Sequence, residues 1–98
     1  MIASFGDRAT ADLYEGVPSS RVRRFPSDVV AATVRKLDML NSTRNLLDLR
    51  SPPGNRLEGL RGDLRGLHSI RVNDQWRIVF RWAAGQAHEV RLVDYHRG

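Results

Sequence analysis

The sequence predicts an α+β fold, a compact single domain in which N-terminal helices pack on a twisted, mainly antiparallel sheet. Three observations carry that expectation. A chain of 98 residues has room for one core, so residues 1–98 are read as one domain. Apolar side chains in the first half recur at helical spacing, whereas those in the second half alternate with period two between glycines.

Taken in order, residues 1–5 suit a short first strand and 7–15 a helix stopped by Gly16 and Pro18. SSRVRRF at 19–25 reads as a basic linker. Pro26 then sits in the first turn of a stronger helix running to about Leu40, where its missing N–H would be unpaired in any case. Val30, Val34, Leu37 and Leu40 share one face of that helix and are the expected core stripe. Residues 43–49 suit a short third helix, and SPPGN at 51–55 breaks the chain. Gly59, Gly62, Gly66 and Gly85 punctuate the sheet that follows.

The register of the central hairpin, in SIRVNDQWRIVFRW at 69–82, follows from side-chain chemistry, because a slip of one residue moves a strand's whole apolar set to the other face. A three-residue loop at 73–75 pairs Val72 with Trp76, Ile70 with Ile78 and His68 with Phe80 on one face, and sets Arg71 opposite Arg77 on the other. A second three-residue loop, at 84–86, matches Phe80 with Val90 and Ile78 with Leu92 and gives Arg81 the partner Glu89. Arg91, Val93 and Tyr95 then lie on the arginine face, while His68 and His88 fall on the core face. Neither hairpin offers Arg71 or Arg77 an acidic neighbour in this register. Like charges directly opposite on a sheet cost ~0.2–1 kcal/mol. Either both guanidiniums splay into water on the open face, as surface arginines commonly do, or the fold keeps the pair for use as an anion clamp; the clamp is the reading taken forward.

Charge points to the same class of ligand. The net charge is +5, and the excess lies in the second half: residues 1–49 carry seven Lys/Arg against six Asp/Glu, residues 50–98 nine against five. Fifteen of the sixteen basic residues are arginine, with Lys36 the exception; guanidinium suits bidentate phosphate contacts and base stacking. Arg61 and Arg65 stand between glycines in GLRGDLRG, and Arg23 and Arg24 close the RVRR run, all four as candidate contacts to nucleic-acid phosphates. The chain has no cysteine, which removes disulfides and thiolate metal sites. No His/Asp/Glu spacing resembles a metal site, and no phosphate-binding P-loop or nucleophile elbow is present. No apolar run approaches the ~20 residues of a membrane span, so the expectation is a cytoplasmic protein with no cofactor.

Arginine stays protonated and cannot act as a base, so a phosphoryl-transfer site on the arginine face takes its proton handlers elsewhere. The VDYH end supplies Asp94, Tyr95 and His96 in succession.

DL at 48–49, PPGNRLEGLRGD at 52–63, SIRVNDQWRIVFRW at 69–82 and VDYH at 93–96 together closely resemble the HigB branch of the RelE/ParE toxin superfamily. The likeness extends over nearly the whole chain. It implies helices packed on a twisted antiparallel sheet and a toxin of a type II toxin–antitoxin pair. It further implies cleavage of messenger RNA at the ribosomal A site, neutralisation by a cognate helix-turn-helix antitoxin of HigA type, and contact with operator DNA only through that antitoxin. Residue by residue, the resemblance places Arg61 where a functional Lys or Arg is usual, Arg77 on the scissile phosphate, and Asp94, Tyr95 and His96 around it; Arg71 joins them by register. The chain departs from some relatives at Glu58, where they carry a histidine, and at His68, where they carry an aromatic. The former departure removes one proton handler from the set.

The reading is therefore a ribosome-dependent, metal-independent endoribonuclease with Arg61, Arg71, Arg77, Asp94, Tyr95 and His96 as catalytic residues. Two alternatives stay open: a ParE-like inhibitor of DNA gyrase that cleaves nothing, and a non-catalytic RNA-binding domain. The VDYH end favours the nuclease.

Overall fold

The computed structural model describes residues 1–95. Among them are three helices, α1 (Arg8–Glu15), α2 (Ser20–Arg23) and α3 (Ser27–Ser42), and four strands, β1 (Glu58–Gly59), β2 (Leu67–Arg71), β3 (Trp76–Ala83) and β4 (Gln86–Asp94). The strands form one antiparallel sheet in the order β1-β2-β3-β4. Among the described residues, no helix is long and apolar enough to cross a membrane.

The expected first strand exists as two parallel bridges along the outer edge of β4, Ile2 to Ala87 and Phe5 to Val90. Gly6 permits that approach, since a Cβ there would stand 2.7 Å from the carbonyl oxygen of Glu89. Asp7 caps α1, accepting from the Thr10 N–H at 2.8 Å, and Gly16 ends it at φ 75°. The basic linker contains the short helix α2, capped by Ser19. In α3 the buried line is Val29, Thr33, Leu37 and Leu40, one residue round from the expected stripe at its N-terminal end; Val30 and Val34 are half-buried at its margin. The expected third helix is a 3-10 turn, Leu46–Arg50, which sinks Leu49 completely.

These side chains meet Ile70, Ile78, Phe80, Val90 and Leu92 from the inner face of the sheet. Phe80 is fully buried at the centre, where truncation to alanine typically costs ~3–5 kcal/mol. The first hairpin has the expected register: Arg71 pairs with Arg77, Ile70 with Ile78 and His68 with Phe80.

The second hairpin differs near its turn. Ala83 pairs with Gln86, so the loop is the two residues Ala84 and Gly85, both at positive φ (53° and 74°), as the hairpin turn that matches strand twist requires. Expected partners Ile78 and Leu92 hold, but Arg81 stands opposite His88, and the register shifts between Val79 and Arg81. The extra residue is absorbed at Glu89, with φ 55°. The shift turns Ala87 into the core in place of His88, which is half-buried with Nε2 3.1 Å from the Ala83 carbonyl oxygen. Arg81 still reaches the Glu89 carboxylate at 3.7 Å.

Candidate functional site

Arg77 lies on the face of the sheet turned away from α3, together with Ser69, Arg71 and Val93. The expectation of an open clamp needs correcting. Arg77 is only 7% exposed. Its Nε donates to Ser69 Oγ at 2.8 Å, and its Nη2 donates to the carbonyl oxygens of Arg56 at 2.6 Å and Ser69 at 3.4 Å. The Tyr95 ring covers it, with the guanidinium carbon 5.6 Å from the ring centroid. Burial pulls the guanidinium below its ordinary pKa, and the charge of Glu58 opposes that shift. These bonds fix the guanidinium on its Nε and Nη2 side, and Nη1 makes none among the described residues.

Arg71 also has an acidic partner, contrary to expectation: Asp74 in the hairpin turn accepts from its Nη2. The like-charged pair is tolerated because the two guanidiniums diverge, Arg77 down onto Ser69 and Arg71 out to a fully exposed carboxylate. An exposed ion pair of this kind contributes little stability, and Arg71 can exchange Asp74 for a phosphate at small cost.

Around these residues lies a cleft of about 500 Å³, walled by Arg56, Glu58, Arg71, Arg77 and Tyr95 and by the hairpin turn at 73–75. A second cleft of about 300 Å³ shares Glu58 and Tyr95 with it and is lined further by Gly59, Leu60, Arg61 and Leu64. Arg71 and Arg77 therefore line one cleft and Arg61 its neighbour, with Glu58 and Tyr95 common to both. Asp94 does not join them. It pairs with Trp76, on the other face, and its carboxylate accepts from Gln75 Nε2 at 3.1 Å. His96 lies outside the described residues. Arg65 is exposed beyond the 3-10 turn Gly62–Leu64; Arg23 and Arg24 are exposed around the end of α2, where Arg24 lines a separate cleft with Arg8, Arg21 and Phe25.

Two contributors were missed by sequence reasoning. Glu58, noted there only as a lost histidine, brings a carboxylate into the cleft. Arg56 supplies its backbone: it sits at φ 44° and turns its carbonyl oxygen to Arg77. What fixes that carbonyl is the preceding residue. Asn55 is fully buried, donating from Nδ2 to the carbonyl oxygens of Leu49 at 3.1 Å and Ser51 at 3.4 Å, and accepting at Oδ1 from Lys36 Nζ. Burial, followed by the charges of Arg35 and Arg71, lowers the Lys36 pKa. The lone lysine thus joins α3 to the loop that aims the clamp. Among the described residues, no group of three His, Asp or Glu side chains is placed to hold a metal ion.

The family model described as a RelE-like toxin of the type II toxin–antitoxin system HigB matches residues 3–96. Toxin HigB-1 of Vibrio cholerae is 44% identical over 87 residues, which cover 89% of this chain and 90% of that one. Endoribonuclease HigB of Proteus vulgaris is 32% identical, covering 98% of this chain and 100% of the relative. Among solved structures, a chain of the YoeB–YefM complex from Staphylococcus aureus superposes with a TM-score of 0.61 at 14% identity, over 99% of both chains. The YoeB/ParE toxin from Agrobacterium tumefaciens gives 0.50 at 20% identity, over 95% of this chain and 99% of that one. At those identities the structures bear on the fold alone.

Proposed function

Because the chain belongs to the HigB-like family of RelE-type toxins from type II toxin–antitoxin systems, we propose that it is an endoribonuclease that cuts messenger RNA on the ribosome, with the Arg77 groove as its catalytic centre. The observation that carries this reading is the Arg77 guanidinium, fixed by Ser69 and the Arg56 carbonyl oxygen with a carboxylate, Glu58, in the same cleft. A plain RNA-binding face has no need of a buried, pre-aimed cation beside a proton acceptor.

RNA carries its own nucleophile. The 2′-hydroxyl attacks the adjacent phosphorus, the bond to the 5′-oxygen breaks, and a cyclic phosphate remains. The protein has to take the 2′ proton, hold the charge that builds on the phosphoryl oxygens and protonate the departing oxygen. Arg77 holds the charge from a fixed position that needs little reorganisation, Arg71 swings from Asp74 onto the phosphate to share it, and Arg61 assists from the adjoining cleft. Glu58 takes the 2′ proton in place of Asp94, which points away. His96 follows Tyr95 in the chain and returns a proton to the 5′-oxygen; Tyr95 shields the clamp and stacks on a base. This acid–base set gains from a substrate aligned by something else, and the ribosome supplies that alignment.

A toxin of this family has a cognate antitoxin. We infer that here it is a helix-turn-helix protein of HigA type that brings the toxin to operator DNA. The deciding experiment maps cleavage of a reporter messenger RNA on translating ribosomes with wild type, Arg77→Lys and Glu58→Gln. Expected are discrete cuts by wild type and a loss of ~10²-fold or more for either variant. Intact RNA with wild type, together with inhibition of gyrase supercoiling, would overturn the reading in favour of the gyrase inhibitor.

A further inference from the structure

We propose that the smaller cleft beside the clamp, between Gly59, Arg61, Leu64 and Tyr95, is a nucleobase subsite that reads one of the two nucleotides flanking the scissile phosphate and distinguishes guanine from adenine and cytosine there. The inference rests on the RNA-cleaving reading of the adjoining groove.

The cleft has the walls a base needs. It shares Glu58 and Tyr95 with the Arg77 cleft, so a nucleotide whose phosphate rests on Arg77 has its base within reach. Leu64 is 40% exposed, one of few large apolar side chains left open to solvent among the described residues. With the Tyr95 ring and the Arg61 guanidinium it offers flat or apolar surfaces of the kind on which unstacked RNA bases rest.

Discrimination comes from the edge of the sheet. β1 is its terminal strand and pairs only with β2. The Leu60 N–H donates to the Leu67 carbonyl oxygen at 2.9 Å, and the Glu58–Ser69 pair has the same parity. In an antiparallel ladder the residue between two hydrogen-bonded pairs turns its N–H and C=O the other way. Gly59 is that residue. It is exposed, and it presents a donor and an acceptor side by side with no side chain of its own.

The Watson–Crick edge of each base also carries a donor beside an acceptor, but the order differs from base to base. Adenine and cytosine have an amino donor next to a ring nitrogen acceptor, and guanine has a keto acceptor next to a ring N–H; uracil, with its ring N–H between two keto oxygens, offers either order. The order on Gly59 is set by chain direction, and a base anchored by its phosphate at the clamp enters from one side. Guanine and the adenine–cytosine pair therefore differ: one forms two hydrogen bonds, and the other meets donor with donor and acceptor with acceptor.

The test is a cleavage map on translating ribosomes, with a reporter of randomised codons, for wild type, Gly59→Pro and Leu64→Ala, each first checked for an unchanged melting profile. Proline removes the Gly59 N–H and is tolerated on edge strands where that group faces outward. Expected is a wild-type bias at one flanking position that sets guanine apart from adenine and cytosine. Gly59→Pro should bring that bias near parity while cutting continues. Leu64→Ala should weaken the bias and slow cutting by about tenfold, the lower end of a base-stacking contact. Wild-type cuts with no bias between guanine and the adenine–cytosine pair at either position would overturn the subsite, as would a bias that survives in folded Gly59→Pro. If that variant does not fold, Leu64→Ala decides alone, and wild-type rate and bias in it overturn the proposal. No cleavage by wild type would instead refute the nuclease reading.

Discussion

The Nη2 of Arg77 donates to the carbonyl oxygen of Arg56 at 2.6 Å. One arginine thus aims another through its backbone, and the clamp is built from the loop before β1 as much as from the hairpin that carries it. A surface arginine would be replaceable at less than ~0.5 kcal/mol. Arg77 is not a surface arginine.

Arg77→Ala leaves Ser69 Oγ and the Arg56 carbonyl oxygen without their donor. The variant is expected to lose ~1–3 kcal/mol in urea unfolding and to stop growth inhibition at equal expression. Arg81→Ala is the control: its ion pair with Glu89 is long and exposed, so stability should change by ~0–1 kcal/mol with little effect on toxicity. Equal losses of toxicity at both positions would mean that the face acts as diffuse charge.

Asn55→Ala tests the loop that aims the clamp. It strands the Lys36 ammonium and removes the donor to two loop carbonyl oxygens, an expected cost of about 3 kcal/mol. Because Lys36 is stranded by that change, Asn55→Ala should cost less in a Lys36→Met background, and a double-mutant cycle in urea reads the coupling. Strict additivity would show that the two side chains do not act together.

The first hairpin was legible because His68, Ile70, Val72, Trp76, Ile78 and Phe80 alternate without a break, leaving one register that turns them all to the core face. The second was legible only far from its turn. Nothing in the letters Ala84 and Glu89 announces a positive φ, and the bulge at Glu89 exchanges His88 for Ala87 in the core. The presence of Arg77 on the arginine face could be read from alternation, but its burial could not. Alternation put Tyr95 on the same face, but not its ring over the guanidinium, and Arg56, whose carbonyl oxygen completes the cover, is distant in sequence and carries no pattern linking it to Arg77. Glu58 escaped for a similar reason, since a two-residue strand is too short to show a period.

Alkaline pH separates two further groups. Burial, then the hydrogen bond to Asp38 and its charge, raise the Tyr14 phenol above its ordinary value. Its contribution is fully present below the unfolded pKa and is lost as pH rises through the raised folded value. Lys36 has the opposite sign: its folded pKa is lowered, so the penalty on its charged form is relieved as pH rises through that value. Urea midpoints between about pH 8 and 11 should therefore fall less steeply for Tyr14→Phe than for wild type, and more steeply for Lys36→Met. Parallel curves for all three proteins would contradict both assignments.

The end of β4 separates folding from cutting. Val90 and Leu92 already anchor the strand in the core, and Leu92 N–H donates to the buried Thr10 Oγ1 at 2.9 Å. Beyond Val93, Asp94 contributes an exposed contact to Gln75, and the contacts of Tyr95 include a backbone hydrogen bond to the Gln75 carbonyl oxygen at 2.6 Å and its ring over Arg77. A chain ending at Val93 should therefore fold, with a loss of roughly 1–3 kcal/mol, the scale of a few hydrogen bonds and a cation–π contact at a strand end. It keeps Arg61, Arg71 and Arg77, so antitoxin and ribosome binding should persist, the latter through contacts to RNA phosphates. It loses the shield of the clamp and the one imidazole that follows Tyr95, and general acid–base groups contribute ~10²–10⁴-fold in rate; cutting should fall by at least that much. His96→Ala alone distinguishes the two losses, because it leaves Tyr95 in place and is expected to retain wild-type stability while cutting as slowly as the shortened chain. Wild-type cleavage by the shortened chain would show that the strand end is only a terminus, and would leave Glu58 and the arginines to carry the chemistry alone.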